Sequence, residues 1–318
     1  MRNIFSLAIA IMALCMSASC SNDNEGSFTE SATNQPTHGK AHVRLRFCPG
    51  DGITVSPATP HSRAALTANG AELTDLYILD YEKESGELLQ VLHQTSTAPD
   101  FAEPDLILDY GEHTLKVIAT RSTSPTLLDA TSAPWEVPAN VLTPVSGATL
   151  PTLFSTAKTS DTFGAQRDIS VGIGEAQTVN LTLERLVARM IIQSTDVFPL
   201  DCSTFELSLQ EYKSFSWPTF DVIEAVNNHR SSDVSVLAGT TGTTITYYMF
   251  TPTDGYTTDI TFTTNSKTGK PYSTITVPNV RLERNKTTTI TGSFYNHQQG
   301  VSISIDDAWD ENGYDISI

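Results

Sequence analysis

The sequence predicts an all-β chain made of two antiparallel β-sandwich domains in tandem, and three observations lead there. Thr, Ser, aromatic and β-branched residues are abundant while long Ala/Glu/Lys/Leu runs are missing, a composition that favours strands over helices. Apolar residues recur at a period of two in short runs bounded by Gly, Pro, Asn and Asp, the pattern of half-buried strands. Finally, Val179–Ile192 (VNLTLERLVARMII) joins two strand-like runs with no linker between them, in a chain of 318 residues, long enough for about two domains of ~100–200 residues each. In the first run Val179, Leu181 and Leu183 share a face. In the second, Leu186, Ala188, Met190 and Ile192 share one face while Val187 and Ile191 add apolar bulk to the other. A helix over Leu183–Ile192 is the alternative, but Thr182, Val187, Ile191 and Ile192 disfavour it. The expected domains are therefore 41–184 and 185–318.

Ahead of them, Arg2 and the apolar run Ile4–Met16 have the layout of a secretory signal peptide, too short to span a bilayer comfortably. The run ends in Ser17-Ala18-Ser19-Cys20, small residues meeting a cysteine, which resembles the bacterial lipoprotein cleavage box. Cleavage between Ser19 and Cys20 with a diacylglyceryl group on Cys20 is the expectation, and ordinary cleavage leaving a thiol is the alternative. Residues 1–19 are then a signal peptide and 20–40 a lipidated flexible tether, since Ser21–Lys40 is polar and aperiodic. Each buried methylene of the lipid contributes ~0.8 kcal/mol of membrane affinity. The tether starts Ser21-Asn22-Asp23-Asn24-Glu25, which looks like the acidic export signal of Bacteroidetes surface lipoproteins.

In the first domain Val43, Leu45 and Phe47 alternate with His42, Arg44 and Arg46, a strand that Pro49-Gly50-Asp51-Gly52 ends, and a loop to Gly70 follows. Three hairpins are expected. Leu76–Leu79 pairs with Leu88–Leu92, Leu106–Tyr110 with Leu115–Ala119 across Gly111-Glu112, and Ile169–Ile173 with Val179–Leu183 across Gly174-Glu175. Ser122–Ala148, rich in Ser, Thr and Pro, reads as a long loop. Strands of the second domain are Leu186–Ile192, Phe205–Leu209, Phe215–Phe220, Ile245–Phe250, a hairpin of Ile260–Phe262 with Tyr272–Val277, then Thr287–Phe294 and Val301–Ile305. Ile245–Phe250 is apolar on both faces and should be central, whereas Asp221–Arg230 reads as a helical turn or a loop. Gly313–Ile318 alternates to the last residue, as a closing strand or one offered to a neighbouring subunit.

Charge and motifs exclude several functions. The formal charge is −17, with 19 Lys and Arg against 36 acids, so a nucleic-acid backbone would be repelled. His38, His42, His61, His93, His113, His229 and His297 are scattered, with no HExxH, CxxC or phosphate loop, and no metal or cofactor is expected. Asp306, Asp307, Asp310, Glu311, Asn312 and Asp315 lack EF-hand spacing and read as a solvated turn. No GxSxG elbow appears, and the chain is not expected to be an enzyme. Of the cysteines after the leader, Cys48 and Cys202 read as free, buried small hydrophobes, with a bridge between them as the alternative.

Arg63, in the loop HSRAALTANG, separates the first strand from the rest of its domain. A trypsin-like cut after Arg63 would release Val43, Leu45 and Phe47 and open a groove for a partner's strand; the alternative is a solvated loop arginine. With Cys20, the stretches LTDLYILDYEKESGELLQ, APDFAEPDLILDYGEHTLKVIATR, VNLTLERLVARMII and ITVPNVRLERNKTTTITGSFY, and a late Trp309, the chain resembles the FimB-like fimbrial anchor family of Bacteroidales, within the fimbrillin superfamily. The resemblance implies two transthyretin-like sandwiches, lipid anchoring at the outer membrane, and a basal anchor that holds or caps an adhesive fimbrium by strand pairing with a pilin subunit. A tip or stalk subunit matured after Arg63 is an alternative within the superfamily, with a host or bacterial surface ligand as a further partner. A surface glycan-binding lipoprotein is the other reading, with Trp135, Trp217 or Trp309 as a stacking platform.

Overall fold

Alternation sets the first strand: β1 (Lys40–Cys48) buries Ala41, Val43, Leu45 and Phe47 and exposes the polar residues between them. β2 (Ile53–Ser56), β3 (Ala65–Ala68) and β4 (Ala71–Glu72) form a small sheet within what reads in sequence as a loop. There follow β5 (Asp75–Glu82), β6 (Leu88–Thr95), β7 (Asp105–Asp109) and β8 (Gly111–Thr120). The Ser/Thr/Pro-rich stretch carries β9 (Thr126–Asp129), β10 (Pro134–Trp135) and β11 (Val141–Pro144). Next come β12 (Pro151–Ser155), β13 (Thr162–Val171), β14 (Gln177–Thr182), β15 (Glu184–Arg185) and β16 (Val187–Ser194). The chain continues through β17 (Cys202–Ser216), β18 (Val222–Asp233), β19 (Thr244–Phe250), β20 (Tyr256–Ser266), β21 (Pro271–Leu282), β22 (Thr287–Gly292) and β23 (Ser302–Asp306). This computed structural model describes residues 39–49, 53–56, 65–68, 70–145, 150–174, 176–217, 219–295 and 301–306, all within one unit, 36–318. Among them the only helical turn is Ser235–Leu237.

The chain is an all-β sandwich. A three-stranded sheet, β14-β1-β7, faces a six-stranded one, β11-β6-β5-β8-β13-β15, and their inward side chains form one apolar cluster that includes Leu45, Phe47, Ile78, Leu108, Val117 and Leu181. A second cluster, with Met190, Phe205, Leu207, Ile245, Ile260 and Phe262, fills an eleven-stranded sheet. That sheet bends at β17, whose first half pairs with β20 and whose second half meets β12 and β19. A third cluster sets the outer face of the six-stranded sheet, with Tyr77, Leu79 and Ile118, against Phe154, Phe215, Trp217 and Phe250. The six-stranded sheet is therefore covered on both sides, which explains why Leu76–Asp80 is buried without interruption. β19 is central, between β17 and β16, and Val187–Ser194 is strand rather than helix.

Two expected hairpins do not form. β7 pairs with β1 while β8 pairs with β5 and β13, and β14 runs parallel to β1 rather than back along β13. Alternation reports which face of a strand is buried, and both sheets of a sandwich bury the same kind of face, so it cannot say whether the chain turns back or crosses over. Gly111, at φ +149°, makes the first crossing in a region glycine enters without steric cost. The stretch Asp221–Arg230 is not a helical turn: from Val222 on it lies in β18, which pairs with β17 from Thr204↔Asp233 to Phe215↔Val222. Phe205–Leu209 and the start of Phe215–Phe220 are likewise parts of the single strand β17. Cys202 is free and buried, so it does not pair with Cys48 and the expectation of a free, buried thiol holds at Cys202.

A polar clasp ties the two sheets of the first sandwich. His113 on β8 bonds Asp80 Oδ1 through Nδ1 at 2.7 Å and the Asp109 carbonyl through Nε2 at 2.8 Å, and Gln90 Nε2 donates to Asp80 Oδ2 at 3.0 Å and to the Ile107 carbonyl at 3.2 Å. Both ring nitrogens of His113 face acceptors, so only the imidazolium satisfies both. Burial pulls its pKa down, but the Asp80 hydrogen bond and charge and the Asp109 carbonyl outweigh burial and leave it raised. With the folded pKa above the unfolded one, this stabilisation is complete below about pH 6.5, the unperturbed value, and is lost as pH rises through the folded pKa. Urea midpoints across pH 5–9 should show that loss, and His113→Gln should flatten it; an unchanged pH profile in the variant would contradict the clasp.

Candidate strand-exchange site

Val43, Leu45 and Phe47 come together on the inner face of β1, with exposures of 0%, 0% and 2%. The strand is held on both edges: Val43–Cys48 pairs in parallel with Gln177–Thr182, and Lys40–Arg44 pairs antiparallel with Asp105–Asp109. Its outer face carries a hydrogen bond between His42 Nδ1 and Asp105 at 3.1 Å and an ion pair of Lys40 with Asp109 at 3.6 Å. Such exposed pairs are worth ~0–1 kcal/mol, whereas burying each apolar side chain contributes ~1.5–3 kcal/mol. Retention of β1 thus rests on backbone pairing and alternate apolar side chains, which any strand of the same pattern could supply.

The walls on either side of β1 have supports of their own. β7 is held through the Ile107 and Asp109 carbonyls by Gln90 and His113. β14 leads into β15, which pairs with β13 at Phe163↔Arg185 and Gly164↔Glu184. There Arg185 Nε donates to Asp161 Oδ1 at 3.0 Å, both side chains fully buried, and Arg121 Nη2 donates to Asp161 Oδ2 at 3.3 Å. Without β1, β7 and β14 would stand two strand spacings apart, about 10 Å, over pockets lined by the first cluster. The sequence signals neither support: Asp80, His113, Asp161 and Arg185 are isolated polar residues in or beside apolar runs, and only the pairing register brings them together.

Other candidates separate. Ser19, Cys20 and Arg63 lie outside the described residues, as do Trp309, Gly313–Ile318 and the acidic cluster beyond Asp306. Trp217 is fully buried in the third cluster and cannot present a stacking face, while Trp135 is half-buried beside that cluster. No group of three or more His, Cys, Asp or Glu among the described residues could hold a metal ion, and no helix there is long and apolar enough to cross a membrane.

A solved structure shares the fold. A candidate polysaccharide-binding protein of Bacteroides thetaiotaomicron superposes with a TM-score of 0.50 at 9% identity, covering 84% of this chain and 96% of that one. The fimbrial anchor protein Mfa2 of Porphyromonas gingivalis gives 0.46 at 11% identity, over 85% and 98% of the two chains. The tip fimbrial protein Mfa3 of the same organism gives 0.42 at 11%, over 85% and 100%. No curated protein matches by sequence. The model of the family of unknown function DUF6562 matches residues 140–318, more than half of the chain, and the protein belongs to that family.

Proposed function

We propose that this chain is a surface fimbrial subunit, lipid-anchored through Cys20 after cleavage behind Ser19, that joins a pilin by strand pairing at the β1 position. The observation that carries this reading is the placement of β1: a strand held by alternate apolar side chains between two walls that are each fixed by other contacts. An incoming strand gains backbone hydrogen bonds on both edges and fills the pockets of Val43, Leu45 and Phe47. The role needs no catalytic residue. Within it we favour the basal anchor, which matches the FimB-like motifs and keeps Arg63 uncut, so that β1 stays part of the chain and is displaced by the pilin strand rather than cut away; cleavage after Arg63, which would remove β1, belongs to a stalk or tip subunit.

Immunogold electron microscopy of cells, combined with mass spectrometry of the purified native protein, tests this. Label at the base of fimbriae and an acylated N-terminal Cys20 are expected. Label along the shaft or at the tip, with a mature N-terminus at Ala64, would replace the anchor by a processed subunit. Absence of label from every fimbria would overturn the reading.

A further inference from the structure

In a chain of charge −17, three cations converge on one cavity of about 290 Å³, lined by Arg121, Lys158 and Arg230 with hydroxyl side chains that include Ser160, Tyr247 and Tyr248. One wall is a braced pair of segments: Thr123 N–H donates to the Lys158 carbonyl at 3.0 Å, Ala157 N–H to the Thr123 carbonyl at 2.9 Å, and Ser160 N–H to Ser122 Oγ at 2.8 Å. The opposite wall is Thr246–Tyr248 of β19 with Arg230 of β18. Arg121 Nη2 donates to the Tyr248 hydroxyl at 3.1 Å across the cavity, and the Arg230 guanidinium sits 5.8 Å from the centre of the Tyr247 ring.

Asp161 serves Arg121 and Arg185 together, and Glu211 serves Arg230. Lys158 is held below its ordinary pKa, first by burial and then by the positive charge of Arg230. Guanidinium groups match carboxylates in shape and charge, the hydroxyl-rich lining matches a polyol, and the volume is near the small end of organic ligand sites, roughly 300 Å³.

We propose that this cavity binds an acidic monosaccharide, its carboxylate held by Arg121, Lys158 and Arg230 and its hydroxyls by the Ser, Thr and Tyr side chains. The proposal does not depend on the fimbrial reading, because a base, shaft or tip protein, or one outside any fimbria, could carry the site. Isothermal calorimetry of the purified chain with glucuronate, glucose and inorganic sulfate tests it. Saturable glucuronate binding is expected, weakened by salt and reduced about tenfold in Lys158→Gln, the scale of one charge-assisted contact, with no binding of glucose. Thr246→Val, which removes a hydroxyl from a strand position that valine suits, should weaken glucuronate binding several-fold and serves if Lys158→Gln does not fold. Absence of glucuronate binding, equal binding of glucose, sulfate binding as tight as glucuronate, or unchanged affinity in a folded variant would each overturn the proposal.

Discussion

Replacing Asp161 by alanine is expected to lower the unfolding free energy by about 3–5 kcal/mol, the usual cost of removing one partner from a buried ion pair. The carboxylate has no exposed surface and receives Arg185 Nε at 3.0 Å and Arg121 Nη2 at 3.3 Å. Arg185 is itself fully buried, lies 4.7 Å from the centre of the Phe163 ring, and donates through Nη1 to Asn285 Oδ1 at 2.6 Å. Asn285 N–H in turn donates to the Val187 carbonyl at 3.0 Å. One carboxylate therefore anchors a chain of polar contacts from the end of β8, through β15, to the β21–β22 turn. Alanine leaves two guanidiniums facing the space it vacated, and water cannot solvate Arg185 without entering the protein. Asp161→Asn keeps an acceptor and should cost less than alanine. Adding Arg185→Met to Asp161→Ala should recover part of the loss, because the more deeply buried of the two charges that lost Asp161 is then gone as well. Urea titrations at neutral pH read this as a lower midpoint at constant slope. A loss under about 1 kcal/mol, in the range of an exposed pair, would show that Arg185 finds other partners.

Much of the fold was legible because alternation is strong where one face is buried. β1 declares itself through Val43, Leu45 and Phe47, and the β20–β21 hairpin through its turn chemistry at Ser266–Lys270 and pairing from Tyr256↔Leu282. Gly111-Glu112 and Gly174-Glu175 read as hairpin turns in sequence although the chain crosses over there, because the choice between turning back and crossing over lies in backbone partners that no side-chain pattern records. β18 escaped for a different reason. As an edge strand paired only with β17, it keeps most of its side chains in or near water, so VIEAVNNHRSSD has no apolar face to show. The candidate site divides the same way: the three apolar contacts of β1 were visible, but their supports were not. His113 and Asp80 are 33 residues apart and Arg185 and Asp161 are 24 apart, and single polar residues carry no periodicity. The cationic cavity was hidden likewise, since Arg121, Lys158 and Arg230 belong to three separate segments of an acidic chain.

Trp217→Ala should cost about 3–5 kcal/mol, while Trp217→Phe should cost roughly 1 kcal/mol or less. The indole has no exposed surface and packs edge-on to Phe154 at 6.2 Å and to Phe215 at 6.5 Å, and at a tilt to Phe220 at 6.3 Å. Alanine would leave a cavity among rings that β12 and β17 hold in place, and such a site relaxes little. Phenylalanine fills most of the space and removes a liability, because the buried Nε1–H of Trp217 has no hydrogen-bond partner. An unsatisfied buried donor costs ~1–3 kcal/mol, so losing it offsets part of the lost ring area. Alanine should also raise amide exchange in β5 and β8, whose Tyr77, Leu79 and Ile118 rest on this cluster, before it affects β21 and β22 on the far side of the second core. Equal costs for the two substitutions would mean that the full indole shape, rather than an aromatic ring of about that volume, is what the cluster requires. Faster exchange spread evenly over every strand would mean that Trp217 supports the whole molecule and not this joint.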